Sequence, residues 1–184
     1  MRYKAGLETR DRILESTRTQ IARLGLEGTT IKTICEDAGV LPGSFYNLFD
    51  SKEQAILTAV RAAIDAVDPD PQHEGKDTLE DLVNAYVRFV EEQGDLARVY
   101  IRIAVASSRS SPELRGRILR HHEGRVKRFA EALLRERPEL DEEEAHNRAE
   151  ALVSALNGVT LHRTIDETFD VGHFAHLLKT VATT

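Results

Sequence analysis

Apolar residues recur along most of this chain at intervals of three and four, the spacing of one face of an α-helix, and short glycine-, proline- and polar-rich stretches separate the runs that show it. Ile13, Leu14, Thr17, Ile21 and Leu24 predict a first helix over 9–24, closed by Gly25. Ile31, Ile34, Cys35 and Ala38 predict a second. Thr30 stands before it, where a hydroxyl caps the first turn. Gly39 stands after it, where a left-handed residue ends a helix at low steric cost. Val40 falls in the turn, Pro42 suits a first helical position, and Phe45, Leu48 and Phe49 make the stripe of a short third helix. Ser51 followed by Gln54 is a capping-box pattern. It opens a fourth helix over 52–67 whose apolar positions run unbroken from Ala55 to Val67.

The stretch 68–76, DPDPQHEGK, breaks the pattern with two prolines, a glycine and no large apolar residue. Beyond it, Leu79, Leu82, Val83, Tyr86, Phe89 and Val90 predict a fifth helix ending before Gly94, and Leu96, Val99, Tyr100 and Ile103 a sixth over 95–106. A polar loop over 107–111, with Ser111 as a cap, leads into a long seventh helix from Pro112 to about residue 137, stopped by Pro138. Asp141 caps an eighth that extends to about residue 167, its three first-turn glutamates suited to the positive end of the helix dipole. Phe174, Ala175, Leu178 and Val181 form the seam of a ninth over 171–181. The expected fold is all-α with nine helices. Residues 1–52 form a head, residues 53–184 a body, and the helix over 52–67 joins them. Residues 1–6, with Arg2 and Lys4, are expected as a basic arm.

Two short helices around a glycine-containing turn are the pattern of a helix-turn-helix, although plain helical corners share it. A more specific signal lies in the ordered combination Gly28-Thr29-Thr30, Ala38-Gly39-Val40, Gly43-Ser44-Phe45-Tyr46, Phe49 and Ser51-Lys52-Glu53. This stretch closely resembles the DNA-binding domain of the TetR (tetracycline-repressor) family. The resemblance covers roughly the first third of the chain. It implies a regulator, most often a repressor, that binds a palindromic operator as a dimer with its third helix in the major groove and is released by a small molecule. Matched position by position, Gly43, Ser44, Tyr46 and Asn47 would face DNA, Thr30 and Lys52 would hold phosphates, and Lys32 could reach the groove. Two positions depart from the family pattern. Leu48 stands where histidine is common, and Leu41 where a capping serine or threonine is common. Leu41 and Pro42 instead offer apolar surface to thymine methyls.

Charge and composition fit this picture. The net charge is −6, but residues 1–52 carry 8 Lys/Arg against 7 Asp/Glu and the remainder 17 against 24. That is a weakly basic head on an acidic body, and DNA binding needs local positive charge rather than a basic whole. The single cysteine, Cys35, rules out an intrachain disulfide and lies on an apolar stripe, as a core residue would. No apolar run approaches the ~18 residues of a membrane span and no signal region opens the chain, so a cytoplasmic protein without membrane association is expected.

In the body, polar groups on apolar stripes are the informative ones. Tyr86 and Tyr100 lie among leucines and valines, and His122 and Arg125 interrupt the stripe Leu114, Ile118, Val126, Phe129, Leu133. Buried polar groups need partners. The family resemblance implies that these include a small effector held between helices 4 to 8 in a largely apolar pocket. The alternative is that each tyrosine hydroxyl reaches solvent or backbone and that His122 and Arg125 are exposed. Tyr86, Tyr100, His122, Arg125 and Phe129 are the candidates for the pocket. The eighth helix has a second face of small residues, which predicts a homodimer through a four-helix bundle. Ala151, Ala155, Gly158 and His162, with Phe174 and Leu178 of the ninth helix, are expected at that interface. An alternative is a helical binding protein without DNA binding. Another is a di-iron helical enzyme using Glu143/His146 and Asp170/His173, but those pairs sit at helix starts where acidic residues serve as caps. His121-His122 and His173/His176 read as surface residues. Neither a phosphate loop nor a nucleophile elbow occurs, so no cofactor and no catalytic activity are expected.

Overall fold

Gly25 adopts φ 66°, a left-handed conformation that breaks the first helix just where the sequence places a stop. Thr29 folds back onto the break, its N–H and hydroxyl both donating to the Gly25 carbonyl at 3.1 and 2.7 Å. The computed structural model describes residues 2–72, 74–106 and 112–184. Among them the elements are α1 (Arg2–Gly28), α2 (Ile31–Ala38), α3 (Pro42–Tyr46), α4 (Lys52–Ala66), α5 (Leu79–Glu92), α6 (Gly94–Ala106), α7 (Pro112–Glu136), α8 (Glu142–Ile165) and α9 (Val171–Thr183). No strand occurs among the described residues.

The helix ends are fixed locally. Thr30 and Thr33 form a reciprocal capping box at the start of α2, and Gly39 closes it at φ 62°. Leu41 makes no side-chain cap for α3, which begins on Pro42. Ser51, Thr78, Asp141 and Asp170 each accept a backbone N–H at the starts of α4, α5, α8 and α9.

Two apolar cores result. The smaller joins Ile13 and Leu14 of α1, Ile34, Cys35 and Ala38 of α2, Phe45 and Phe49 around α3, and Ala55 and Ala59 of α4. The larger lies between α4 and α9 and also takes Ile21 of α1. Helix α4 belongs to both, because its 3.6-residue period turns Ile56, Val60, Ala63 and Val67 toward the larger core while Ala55 and Ala59 face the smaller.

Several expectations are corrected. The first helix starts at Arg2, so residues 2–6 continue α1 instead of forming an arm. Leu24 is 44% exposed and not part of a core, because the break at Gly25 carries the chain away from it. Val181 and Phe174, expected in the seam of α9, are exposed, and Val171 and Ala175 carry the buried side of that helix. The expected loop 107–111 and its Ser111 cap lie outside the described residues.

Candidate DNA-reading face and ligand cavity

Phe45 is fully buried and packs on Phe49 with ring centroids 5.5 Å apart, which pins α3 to the smaller core. With the inward side of this single turn fixed, the other side must face solvent. Leu41 is 76% exposed and Tyr46 57%; Pro42, Gly43 and Asn47 are exposed and Ser44 is half-buried. These side chains form one continuous surface of apolar and hydrogen-bonding groups around α3. Lys32 is exposed on α2, 3.9 Å from Glu36. Thr30 is exposed, but its hydroxyl already accepts from the Thr33 N–H at 3.1 Å.

Lys52 has internal partners that the sequence did not show. Its ammonium donates to the carbonyls of Leu26 and Thr29 at 3.0 and 2.9 Å. Those carbonyls, freed by the break at Gly25, lack helical partners, and the nearest long cation satisfies them. Two of its three N–H donors therefore tie the α1–α2 link to α4.

The body contains a cavity of about 100 Å³ with mostly apolar walls. Ile64, Val67 and Pro69 line it from the end of α4, Leu82, Ala85 and Phe89 from α5, Ala97 and Ile101 from α6, and Phe129 from α7. Polar groups gather in two places. The first holds Tyr86, Tyr100, His121, Arg125, Asn157 and Thr160. Tyr86 donates to the Leu156 carbonyl at 2.7 Å and lies 2.8 Å from the Thr160 hydroxyl, and burial pushes its pKa up to about 12. The Tyr100 hydroxyl is 2.9 Å from His121 Nδ1. Burial lowers the His121 pKa to about 4, helped by Arg125, Arg61 and His122, so the ring is neutral at pH 7. Arg125 donates to Asn157 Oδ1 at 3.1 Å, and burial works against its charge.

The second polar group is an ion cluster at the α4–α5 connection. Arg128 of α7 grips Asp68 through both terminal nitrogens, at 2.8 and 2.5 Å, and Asp77 through Nε at 2.5 Å. These partners raise the Arg128 pKa. Arg135 adds a 2.8 Å bond to Asp77. Asp68 follows the Val67 cap of α4, and Asp77 precedes the Thr78 cap of α5. Within the loop, the Asp70 carboxylate accepts the N–H groups of Glu74 and Gly75.

Of the predicted pocket residues, Tyr86, Tyr100, Arg125 and Phe129 line the cavity and His122 does not. His122 Nε2 instead lies 2.8 Å from Glu150 of α8, a contact that lowers the Glu150 pKa. The two neighbouring histidines fall on either side of the same helical stripe, and the one on the Arg125 side, His121, faces the cavity. Sequence reasoning also missed Asp68, Arg128 and Asn157. The available signal was Arg128 three residues beyond Arg125, and Asp68 and Asp77 bracketing the Pro-rich loop.

On the outer side of α8, Ala151, Gly158 and His162 are exposed and Ala155 is half-buried; Phe174 is 38% exposed and Leu178 half-buried on α9. Leu161, Ile165, Leu177 and Val181 are exposed beside them. His162 stacks on Phe169 and Phe169 on Phe174, at 4.0 and 4.6 Å. No group of three or more His, Cys, Asp or Glu suited to a metal occurs among the described residues, and no helix is long and apolar enough to cross a membrane. His176, half of a candidate pair, lies against the Gly172 carbonyl and Glu80, and Asp170 caps α9.

Comparison with known proteins bears on both regions. Residues 13–59 match the family model described as bacterial regulatory proteins, tetR family, and residues 80–177 the one described as tetracyclin repressor-like, C-terminal domain. Over 56 residues the chain is 41% identical to the HTH-type transcriptional repressor KstR2 of Mycolicibacterium smegmatis, a match covering 30% of this chain and 27% of that repressor. The whole chain is similar in structure to a transcriptional regulator from Rhodococcus sp. Rha1, with TM-score 0.70, 20% identity and coverage of 94% of this chain and 93% of that one. It is also similar to the transcriptional regulator FadR from Bacillus subtilis in complex with stearoyl-CoA, with TM-score 0.68, 18% identity and coverage of 94% and 97%. At these identities the structural likeness establishes the fold.

Proposed function

The chain belongs to the TetR family of bacterial regulatory proteins, and from that premise we propose that it is a cytoplasmic, non-enzymatic transcriptional repressor that binds a palindromic operator as a homodimer and releases it when a small molecule fills the body cavity. The observation that carries this reading is the exposed surface from Leu41 to Asn47, held outward by the buried Phe45 and Phe49. Ser44 and Asn47 are the candidates for base-edge hydrogen bonds, Gly43 for close backbone approach, Tyr46 for phosphate and methyl contact, and Leu41 and Pro42 for thymine methyls. Thr30 and Lys32 flank this surface as phosphate contacts. Lys52 acts mainly through the α1–α2 link.

The outer faces of α8 and α9 support dimerisation. Leu161, Ile165, Phe174, Leu177 and Val181 are exposed there around the small residues of α8, and a second copy would bury them by two-fold symmetry. A dimer reads successive major grooves only with its reading helices ~34–36 Å apart. Helix α4 can set that spacing, since its first half lies in the smaller core and its end lines the cavity. The relative with stearoyl-CoA bound supports an effector with a substantial apolar part.

The test is selection from a random duplex library followed by gel shift at fixed salt. The reading requires enrichment of a two-fold symmetric site bound by two chains, with Asn47→Ala altering preference by ~1–3 kcal/mol or less per lost contact. Equal affinity for selected and random duplex would overturn it.

A further inference from the structure

The cation Arg125 lines the body cavity, and among the described residues no carboxylate bonds to it; Asp68, which lines the same cavity, is held by Arg128. The hydrogen-bonding partner of Arg125 is the neutral Asn157, and the hydroxyls of Tyr86 and Tyr100 line the same cavity. Three residues along the same helix, Arg128 holds two carboxylates. The contrast matters because an unpaired cation in an apolar surround is costly, and proteins pair such groups or leave them for a ligand. Besides these groups, His121 and Thr160, the walls are aliphatic and aromatic.

We propose that Arg125 is the anchor for a ligand's negative charge, so that the cavity takes a monoanionic carboxylate with a compact apolar body. The charge count favours one negative charge over two. Arg125 offers a single compensating cation, His121 is neutral, and Arg128 is already neutralised by Asp68 and Asp77. Carboxylate geometry suits a guanidinium, which donates two parallel hydrogen bonds to it. Asn157 strengthens the site. Because its oxygen accepts from Arg125, its amide nitrogen is left as a donor. Phe89 and Phe129 supply walls for the apolar body.

The inference deepens the effector reading, and its test separates the two. Octanoate, octanamide and octylamine share a chain and differ in charge. Calorimetric titration of the full-length protein at pH 7 should show octanoate binding at least tenfold tighter than octanamide, with octylamine weakest. Arg125→Gln should reduce the octanoate-to-octanamide ratio to near one while leaving octanamide affinity within about threefold. Arg125→Lys, which keeps the charge, should retain part of the preference. If Arg125→Gln does not fold, a reduced preference in Asn157→Leu, which removes the supporting amide donor, and a full preference in His122→Ala, which lies outside the cavity, carry the same decision. Equal binding of octanoate and octanamide to the wild type, no octanoate binding, or an unchanged ratio in the folded Arg125→Gln protein would each overturn the proposal. Operator gel shifts with the same compounds test the effector reading separately. Octanoate bound at Arg125 without any change in operator affinity would keep the anion site and remove its regulatory role. Operator release by an uncharged compound alone would do the reverse.

Discussion

Arg128→Met removes the grip of α7 on both ends of the α4–α5 connection while keeping an apolar stem of similar length. In the wild type, Asp68 and Asp77 are 6% and 2% exposed as side chains and Arg128 is 28% exposed. Breaking a fully buried ion pair by removing one partner costs ~3–5 kcal/mol. Arg128 is partly solvated and Asp77 keeps Arg135, so the expected loss is nearer ~2–3 kcal/mol. In a chain of this length that lowers Tm by roughly 5–10 °C. Adding Asp68→Asn should recover part of the loss, because a buried carboxylate without its cation is worse than a neutral amide. A double-mutant cycle by urea unfolding would then give a coupling above ~1 kcal/mol. The same variant tests transmission. If α4 carries the effector signal through this cluster, the effector-dependent change in operator affinity, typically ~1–3 kcal/mol in such systems, should shrink while effector-free affinity changes little. A stability within ~0.5 kcal/mol of wild type, or a full effector response in the folded variant, would refute the reasoning.

Lys52→Ala should lower stability by ~1–2 kcal/mol through loss of two charge-assisted bonds to the α1–α2 link, and change the salt slope of DNA binding by less than the ~1 expected of a full phosphate contact; thermal melts and salt titrations check both. Leu161→Glu with Leu177→Glu, on the exposed faces of α8 and α9, should convert a dimer to monomer in analytical ultracentrifugation without loss of helix content, and a dimer that survives would put the interface elsewhere. His121 titrates near 4 in the fold against an ordinary 6.5, so between these values the unfolded chain binds more protons and stability falls as pH drops. The full effect approaches ~3 kcal/mol below pH 4. His121→Gln should flatten that limb of a stability-versus-pH curve, and an unchanged slope would mean the ring is solvated.

The head was legible because its signals are local. Thr30, Gly39, Pro42 and Ser51 act within a turn or two of themselves, and all four serve in the structure as their chemistry suggests. The internal partners of Lys52 were not legible for a long-range reason. Its ammonium reaches carbonyls 23 and 26 residues away, which become available only because Gly25 breaks α1. In the body, the apolar period located Arg125 and Phe129 but could not separate His121 from His122. Adjacent residues on a helix are 100° apart, and here that angle divides the cavity from the α8 contact with Glu150. The clamp was invisible for a similar reason. Arg128, Asp68 and Asp77 resemble ordinary surface charges until the fold brings residues 51 and 60 positions apart together.

The two arginines of the cavity wall suggest how charge could drive a conformational equilibrium. A ligand shifts two states only by the difference in its free energy of interaction with them. Apolar contact alone would give a modest difference, since an open and a closed cavity would both present apolar walls. An unpaired guanidinium gives a larger one. With no anion present, closing α4 and α7 around Arg125 would desolvate a charge without compensation, which favours a form that leaves the group hydrated. A bound carboxylate reverses the preference, because its bonds to the guanidinium strengthen as water leaves. The Arg128 clamp, in which Arg128 and Arg135 balance Asp68 and Asp77, ties the end of α4 to α7. Movement of the walls around Arg125 would therefore reach α4, and through Ala55 and Ala59 the core beneath the proposed DNA-reading surface.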